Sequence, residues 1–252
     1  MPTLLTSVIH RWFGGRQQPD DQSSSTAQRG DLFSLEELAA HARSLAAHHH
    51  VRLHTRGDPL LARLQDNEQR LAKAYHAVVA AAKDSRRLPP AADWLLDNHY
   101  LIEEQIRTAR RHLPRGYSRE LPRLKDGVHH NHPRVFLIAA ELIAHVDARV
   151  DAESVSTFVG AWQEVADLTL GELWAIPIML RLALIDDLRQ VAEHLAQVLT
   201  VWLEADRWAD RLIEVADKQP SDLVLVLAEL SAATKHIEVL SPPFVAELTR
   251  RL

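Results

Sequence analysis

Apolar residues along this chain recur at helical spacing through most of its length, and alternating patterns of four or more residues are scarce. The first periodic stretch opens at Ser34, with Glu37 three residues on, the signature of a capping box. Leu35, Leu38, Ala39, Ala42, Leu45 and Ala46 then supply one apolar face, up to His48, His49 and His50. A second helix is predicted over 58–84, with Leu60, Leu61, Leu64, Leu71, Tyr75, Val78 and Val79 inward. A third is predicted from Pro89-Pro90 to Leu113, since proline is tolerated in a first turn. A loop of about twenty residues follows, to Pro133, and loops of that length in helical domains are usually functional or mobile.

Further helices are predicted at 134–147, 151–165, 169–198, 200–217 and 221–238, with Asp151 able to cap the second of them. Pro242-Pro243 breaks the chain before a last short turn. From Leu173 to Ile185 only Arg181 is charged, which predicts a central helix, apolar all round and kinked at Pro177. The expected fold class is therefore all-α, an irregular multi-helix bundle or stacked helical hairpins, with eight or nine helices. Residues 14–31 are polar, rich in Gly, Ser, Gln and Asp, so residues 1–33 are expected to form a disordered N-terminal tail and linker. A single helical domain over 34–252 is expected to follow.

Composition narrows the chemistry. The 252 residues contain no cysteine, which excludes disulfides, a thiol nucleophile and thiolate metal sites. No signal peptide is expected at the N-terminus, and no uninterrupted apolar stretch reaches the ~18 residues a membrane span needs. The net charge of −5 is unevenly distributed: residues 107–134 hold eight Lys/Arg against two acids, and residues 135–252 hold nine against nineteen. The acidic C-terminal half argues against nucleic-acid wrapping.

The basic segment is Arg107, Arg110, Arg111, Arg115, Arg119, Arg123, Lys125 and Arg134, with Tyr117 and prolines between. Arginine suits bidentate binding of phosphate or carboxylate. Nucleotide phosphate, anionic lipid headgroups, an acidic partner, or simple pairing with the acidic half are all physically compatible with it. Asp97, Asn98, His99, Glu103 and Glu104 crowd two turns of the third helix, where Glu103 precedes Arg107 by four, the favourable order for a surface pair. Adjacent helical residues point about 100° apart, so Glu103 and Glu104 do not face one site. Arg181 needs a carboxylate or several carbonyls if buried. Glu172 follows Thr169 by three residues, a second capping box, which favours a structural role. The histidine groups 48–50 with His54, and 129–132, match no zinc-ligand pattern, so no metal and no cofactor are expected. The tryptophans at helical spacing are expected in the core. No P-loop, HExxH or GxSxG motif occurs.

Three blocks carry a family resemblance: Trp94–Asn98 with Leu101–Arg107 and Leu113–Tyr117; Arg119–Pro122, Pro133–Val135 and His145 with Asp147; and Leu168-Thr169 with Gly171–Ala175 and Leu180–Leu182. They resemble the N-terminal cytosolic part of the cyclic β-1,2-glucan synthases, the NdvB-like bacterial membrane enzymes. Weaker similarity runs from about residue 34 to the end. Ser118, the His-rich 127–132 loop and Asp186-Asp187 depart from the family pattern. The resemblance implies a parent that polymerises glucose from UDP-glucose and cyclises the product. It covers a helical segment outside the polymerising machinery, so no catalytic residue carries over. It implies a non-catalytic helical module, acting in assembly or regulation at the cytoplasmic face of the bacterial inner membrane. The implied partner is the remainder of the membrane-bound synthase; the basic segment itself, with Arg107, Arg111, Arg115, Arg119 and Arg123, is the expected contact surface, and anionic lipid headgroups are a further expected partner. The alternative is a stand-alone soluble helical scaffold or binding module; a small carbohydrate-active enzyme using Asp97, Glu103 and Glu104 is a more distant one.

Overall fold

In the computed structural model, residues 32–53, 57–84, 88–113, 116–127, 129–236 and 241–252 are described. The expected N-terminal tail falls almost wholly outside them. Nine α-helices occur among the described residues, in line with the all-α expectation. They are α1 (Leu35–His48), α2 (Pro59–Asp84), α3 (Pro90–Asp97), α4 (His99–His112), α5 (Arg134–His145), α6 (Ala152–Gln163), α7 (Leu170–Lys218), α8 (Leu223–His236) and α9 (Pro242–Arg251).

Local chemistry sets many of the ends. At α1, Ser34 Oγ accepts from the Glu37 amide while the Glu37 carboxylate accepts from the Ser34 amide, closing the capping box. Asp151 caps α6 by accepting from Ser154 N–H at 2.7 Å. Two prolines open α9, where their missing N–H groups cost nothing. Beyond α5, Asp147 and Ala148 both take positive φ, 50° and 57°, which stops the helix and turns the chain towards α6.

Three expectations need correction. The helix expected over 89–113 is divided at Asn98 into α3 and α4; Asn98 has φ −108° and ψ 10°, outside the helical region. The helices expected at 169–198 and 200–217 are one helix of 49 residues, because Leu199-Thr200-Val201 contains neither glycine nor proline to stop it. The N-terminal part of that helix is not apolar against protein all round: Leu170 is 70% exposed and Trp174 76%. A ladder of two residues per strand also forms, β1 (Val51–Arg52) antiparallel to β2 (Arg123–Leu124).

The chain forms two compact units, residues 1–70 with 98–190 and residues 71–97 with 191–252. In the first, Leu38, Ala42 and Ala46 of α1 pack with Ile138 and Leu142 of α5 and with Phe158, Ala161 and Trp162 of α6. Trp162 is fully buried there. In the second, Ala205 and Leu212 of α7 pack with Val226 and Leu230 of α8 and Phe244 of α9. Arg251 pairs with Asp206 at 3.0 Å and also bonds Asp210, tying α9 to α7.

Candidate functional site

Two buried charges of the first unit, Arg134 and Glu172, meet between the start of α5 and the start of α7. Thr169 and Glu172 form the expected capping box: Thr169 N–H donates to Glu172 Oε2 at 2.9 Å, and Glu172 N–H donates to Thr169 Oγ1 at 3.3 Å. The same carboxylate takes a fork from Arg134, with Nε donating to Oε1 at 2.6 Å and Nη2 to Oε2 at 2.8 Å. Arg134 Nη2 also donates to the Asp167 carbonyl at 2.6 Å. Glu172 is fully buried and Arg134 nearly so. His49 completes the group. Its Nδ1 faces the Ala46 carbonyl at 2.8 Å and its Nε2 lies 3.4 Å from Arg134 Nη1. Burial first, and the Arg134 charge in addition, hold the His49 ring below the usual imidazole range, so Nε2 keeps the lone pair that receives the guanidinium N–H.

A second knot fixes the long loop. Asp58, just before α2, accepts from Ser118 Oγ at 2.8 Å and from the Gly116 amide at 3.1 Å. Gly116 has φ 88°, so a side chain there would be strained. Arg123 is fully buried and donates to the carbonyls of Gly57, at 2.8 Å, and Ser118. Burial pushes the Arg123 guanidinium down from its ordinary value, against the attraction of Asp58. Backbone bonds from Lys125 to His50 and from Arg134 to Pro122, both 2.9 Å, bind the loop to its surroundings. The loop is thus a folded strap over the N-termini of α2 and α5.

These contacts divide the basic segment. Arg123 and Arg134 are buried and face inward. Arg110 pairs with Glu68 of α2. Arg107 is exposed and donates from Nε to the Glu103 carbonyl at 3.3 Å. Arg111, Arg119 and Lys125 are exposed, while Arg115 lies outside the described residues. The outward-facing remainder is therefore Arg107, Arg111, Arg119 and Lys125. Tyr117 is half-buried in the 3-10 turn Tyr117–Arg119.

The carboxylate candidates are not gathered into a cleft. Asp97 ends α3 in an exposed position, and Asn98 precedes α4 without a side-chain cap bond. Glu103 and Glu104 are exposed on α4, with Glu103 Oε1 3.5 Å from His99 Nε2. A groove of about 640 Å³ lies along α6 against Ile176, and its one carboxylate, Asp151, is the α6 cap. Arg181 is half-buried and its Nη1 lies 3.3 Å from His112 Nδ1, an imidazole beside it rather than the carboxylate or carbonyls expected of a buried guanidinium.

Several polar contacts were not legible from spacing. Arg63 of α2 donates to Asp186 of α7 at 2.7 Å and lies over the Phe136 ring at 5.1 Å. Arg189 Nε stands 3.6 Å from the other Asp186 oxygen. His129 and His132 pack on Phe136, each at 5.5 Å between ring centroids. Asp186 and Arg189 on one helix turn, with acid and base three apart, is the only signal that could have pointed there.

No protein-family model matches the chain. Over 234 residues, 89% of its length, it is 33% identical to the cyclic beta-(1,2)-glucan synthase NdvB of Rhizobium meliloti (strain 1021). The chain spans 8% of that protein's length, so it resembles a fragment of it. Among the described residues no helix is long and apolar enough to cross a membrane.

Proposed function

We propose that this chain is a non-catalytic helical module of a cyclic β-1,2-glucan synthase, acting in assembly or regulation of the glucosyltransferase at the cytoplasmic face of the inner membrane. The observation that carries this reading is the extent of the identity, 234 residues of this chain against a small part of a glucan synthase. Side-chain chemistry supports a scaffold role. Arg134 and Glu172, two polar residues of the blocks that carry the resemblance, are used up in internal pairing. Glu103 and Glu104 stand apart from the groove.

The partner in this reading is the remainder of the synthase. Leu170 and Trp174 are four residues apart on α7 and both largely exposed, an apolar pair without cover in the first unit. Val224 and Leu225 of α8 are 74% and 64% exposed in the second. Large exposed apolar side chains in groups mark contact surfaces more often than bare solvent faces. The outward arginines Arg107, Arg111 and Arg119 supply the polar part of the same role.

Size and fractionation of the native protein test the reading, with an antibody to residues 34–113. A membrane-bound band far above 28.5 kDa is expected. A soluble band at 28.5 kDa would leave a stand-alone helical protein and reduce the glucan connection to ancestry.

A further inference from the structure

We propose that His41, Glu141 and His145 form a binding site for a divalent transition metal of the zinc class, bridging α1 and α5. His41 lies on α1, while Glu141 and His145 are four apart on α5 and so share one helix face. His41 Nε2 is 2.9 Å from Glu141 Oε2, and His145 Nε2 is 3.7 Å from the same oxygen. One atom from each residue lies within 4.8 Å of the others. Zinc bonds of about 2.1 Å at tetrahedral angles place ligand atoms about 3.4 Å apart. The two measured separations bracket that value, so small rotamer adjustments complete the set.

The ligand types choose the metal class. Two imidazoles and one carboxylate suit zinc, and three protein ligands leave one position for water. All three side chains are partly buried, at 26%, 27% and 12% exposure for His41, Glu141 and His145, so an ion can enter from solvent yet is partly shielded. Phe33 roofs one side. Its ring stacks on His145 at 3.9 Å and 5°, meets His41 edge-on at 5.4 Å, and its N–H donates to the His145 carbonyl at 3.1 Å. This holds both rings in place and restricts water on that side. An ordinary hydrogen bond between helices needs one imidazole on a carboxylate oxygen; here two converge on the same oxygen. The site is separate from the histidine groups at 48–50 and 129–132, and it does not depend on the glucan reading.

The test uses the full chain freed of metal by chelator and titrated calorimetrically with zinc chloride, and in parallel with cobalt chloride read by visible absorption. His41→Gln, Glu141→Gln and His145→Gln are compared with a His48→Gln/His50→Gln control. The expected result is one zinc equivalent, tetrahedral cobalt absorption, and binding weakened roughly 100-fold or more by each ligand substitution but not by the control. Glu141→Gln keeps the side-chain shape, and circular dichroism confirms that each variant is folded. If several equivalents bind, the ligand variants remove one of them. Absence of binding in the wild type, or binding by the folded Glu141→Gln variant equal to wild type, overturns the proposal.

Discussion

Arg134 and Glu172 meet as a buried two-toothed ion pair across 38 residues of sequence, and the same Glu172 carboxylate closes the cap of α7. Oε2 therefore receives Arg134 Nη2, the Thr169 amide and the Thr169 hydroxyl, at 2.8, 2.9 and 3.0 Å. One side chain fixes where α7 begins and ties that point to the start of α5. Its desolvation is offset because both carboxylate oxygens have donors, three on Oε2 and Arg134 Nε on Oε1.

Glu172→Gln separates the two duties. Glutamine still serves as the third residue of a capping box, but the Arg134 charge then lies buried without its counter-charge. The expected loss is about 3–5 kcal/mol, against about 1 kcal/mol for Thr169→Ala, which removes the cap alone. Urea denaturation of both variants measures the difference. Equal losses would show that the cap, not the ion pair, is what Glu172 contributes.

What was legible in the sequence was mostly local. The boxes at Ser34–Glu37 and Thr169–Glu172 and the cap at Asp151 each lie within four residues, and all three formed. Helix periodicity also located most of the core, Leu38, Ala42 and Ala46 among it. The Arg134 partner, the Asp58–Ser118 bond across 60 residues and the His41–Glu141 contact across 100 were hidden, because nothing in a one-dimensional pattern brings them together. Arg123 and Arg134 looked like part of a solvated basic run for the same reason. The break at Asn98 was missed because the apolar face continues across it from Leu95 to Ile102, and the exposure of Trp174 because periodicity cannot say which apolar side chains lack a neighbour.

His129 makes stability pH-dependent. Its Nδ1 is buried without a hydrogen-bond partner among the described residues. Burial chiefly, then the charges of Arg63 and His132, lower its pKa to about 4, with Glu141 and Asp186 opposing weakly. The folded value is depressed below the unfolded one of about 6.5, so the unfolded chain takes the proton first. Stability is full above about pH 6.5, falls between there and about pH 4, and loses no more from this group below that. At about 1.4 kcal/mol per unit, the contribution is at most about 3 kcal/mol. His132, lowered for the same main reason, adds in the same direction. In His129→Gln the drop in unfolding free energy from pH 7 to pH 4 should shrink by that amount; a drop as steep as in wild type would remove His129 as its source.

The two compact units are expected to unfold together. Domain boundaries normally fall in exposed linkers crossed by few contacts. Of the three divisions here, the one after Asp97 falls between α3 and α4, and those after Arg70 and after Gln190 fall inside helices, α2 and α7. Helix propagation is cooperative, so fraying at those points has no natural stopping place. Variants keeping only Trp162, in the first unit's core, or only Trp208, against the second's, report each unit by fluorescence. Coincident urea transitions are expected. Midpoints separated beyond experimental error would make residues 34–252 two independently stable bodies.

The outward arginines make the last distinction. Arg107 and Arg111 lie four apart on α4, and Arg119 follows in the 3-10 turn held by the Asp58 knot, so all three are exposed on ordered backbone. Each charge placed near an anionic bilayer contributes about 1 kcal/mol at physiological ionic strength, and the attraction falls off within about 10 Å. Three such contacts would give salt-sensitive binding to vesicles containing anionic lipid and little to neutral ones. Replacing Arg107, Arg111 and Arg119 together by Ser touches none of the buried pairs, so the fold should persist while vesicle pelleting at low salt is lost. Pelleting that survives the triple change would remove these arginines as the lipid contact, and its absence from the wild type would exclude the lipid surface; either leaves the synthase body as the partner proposed for them.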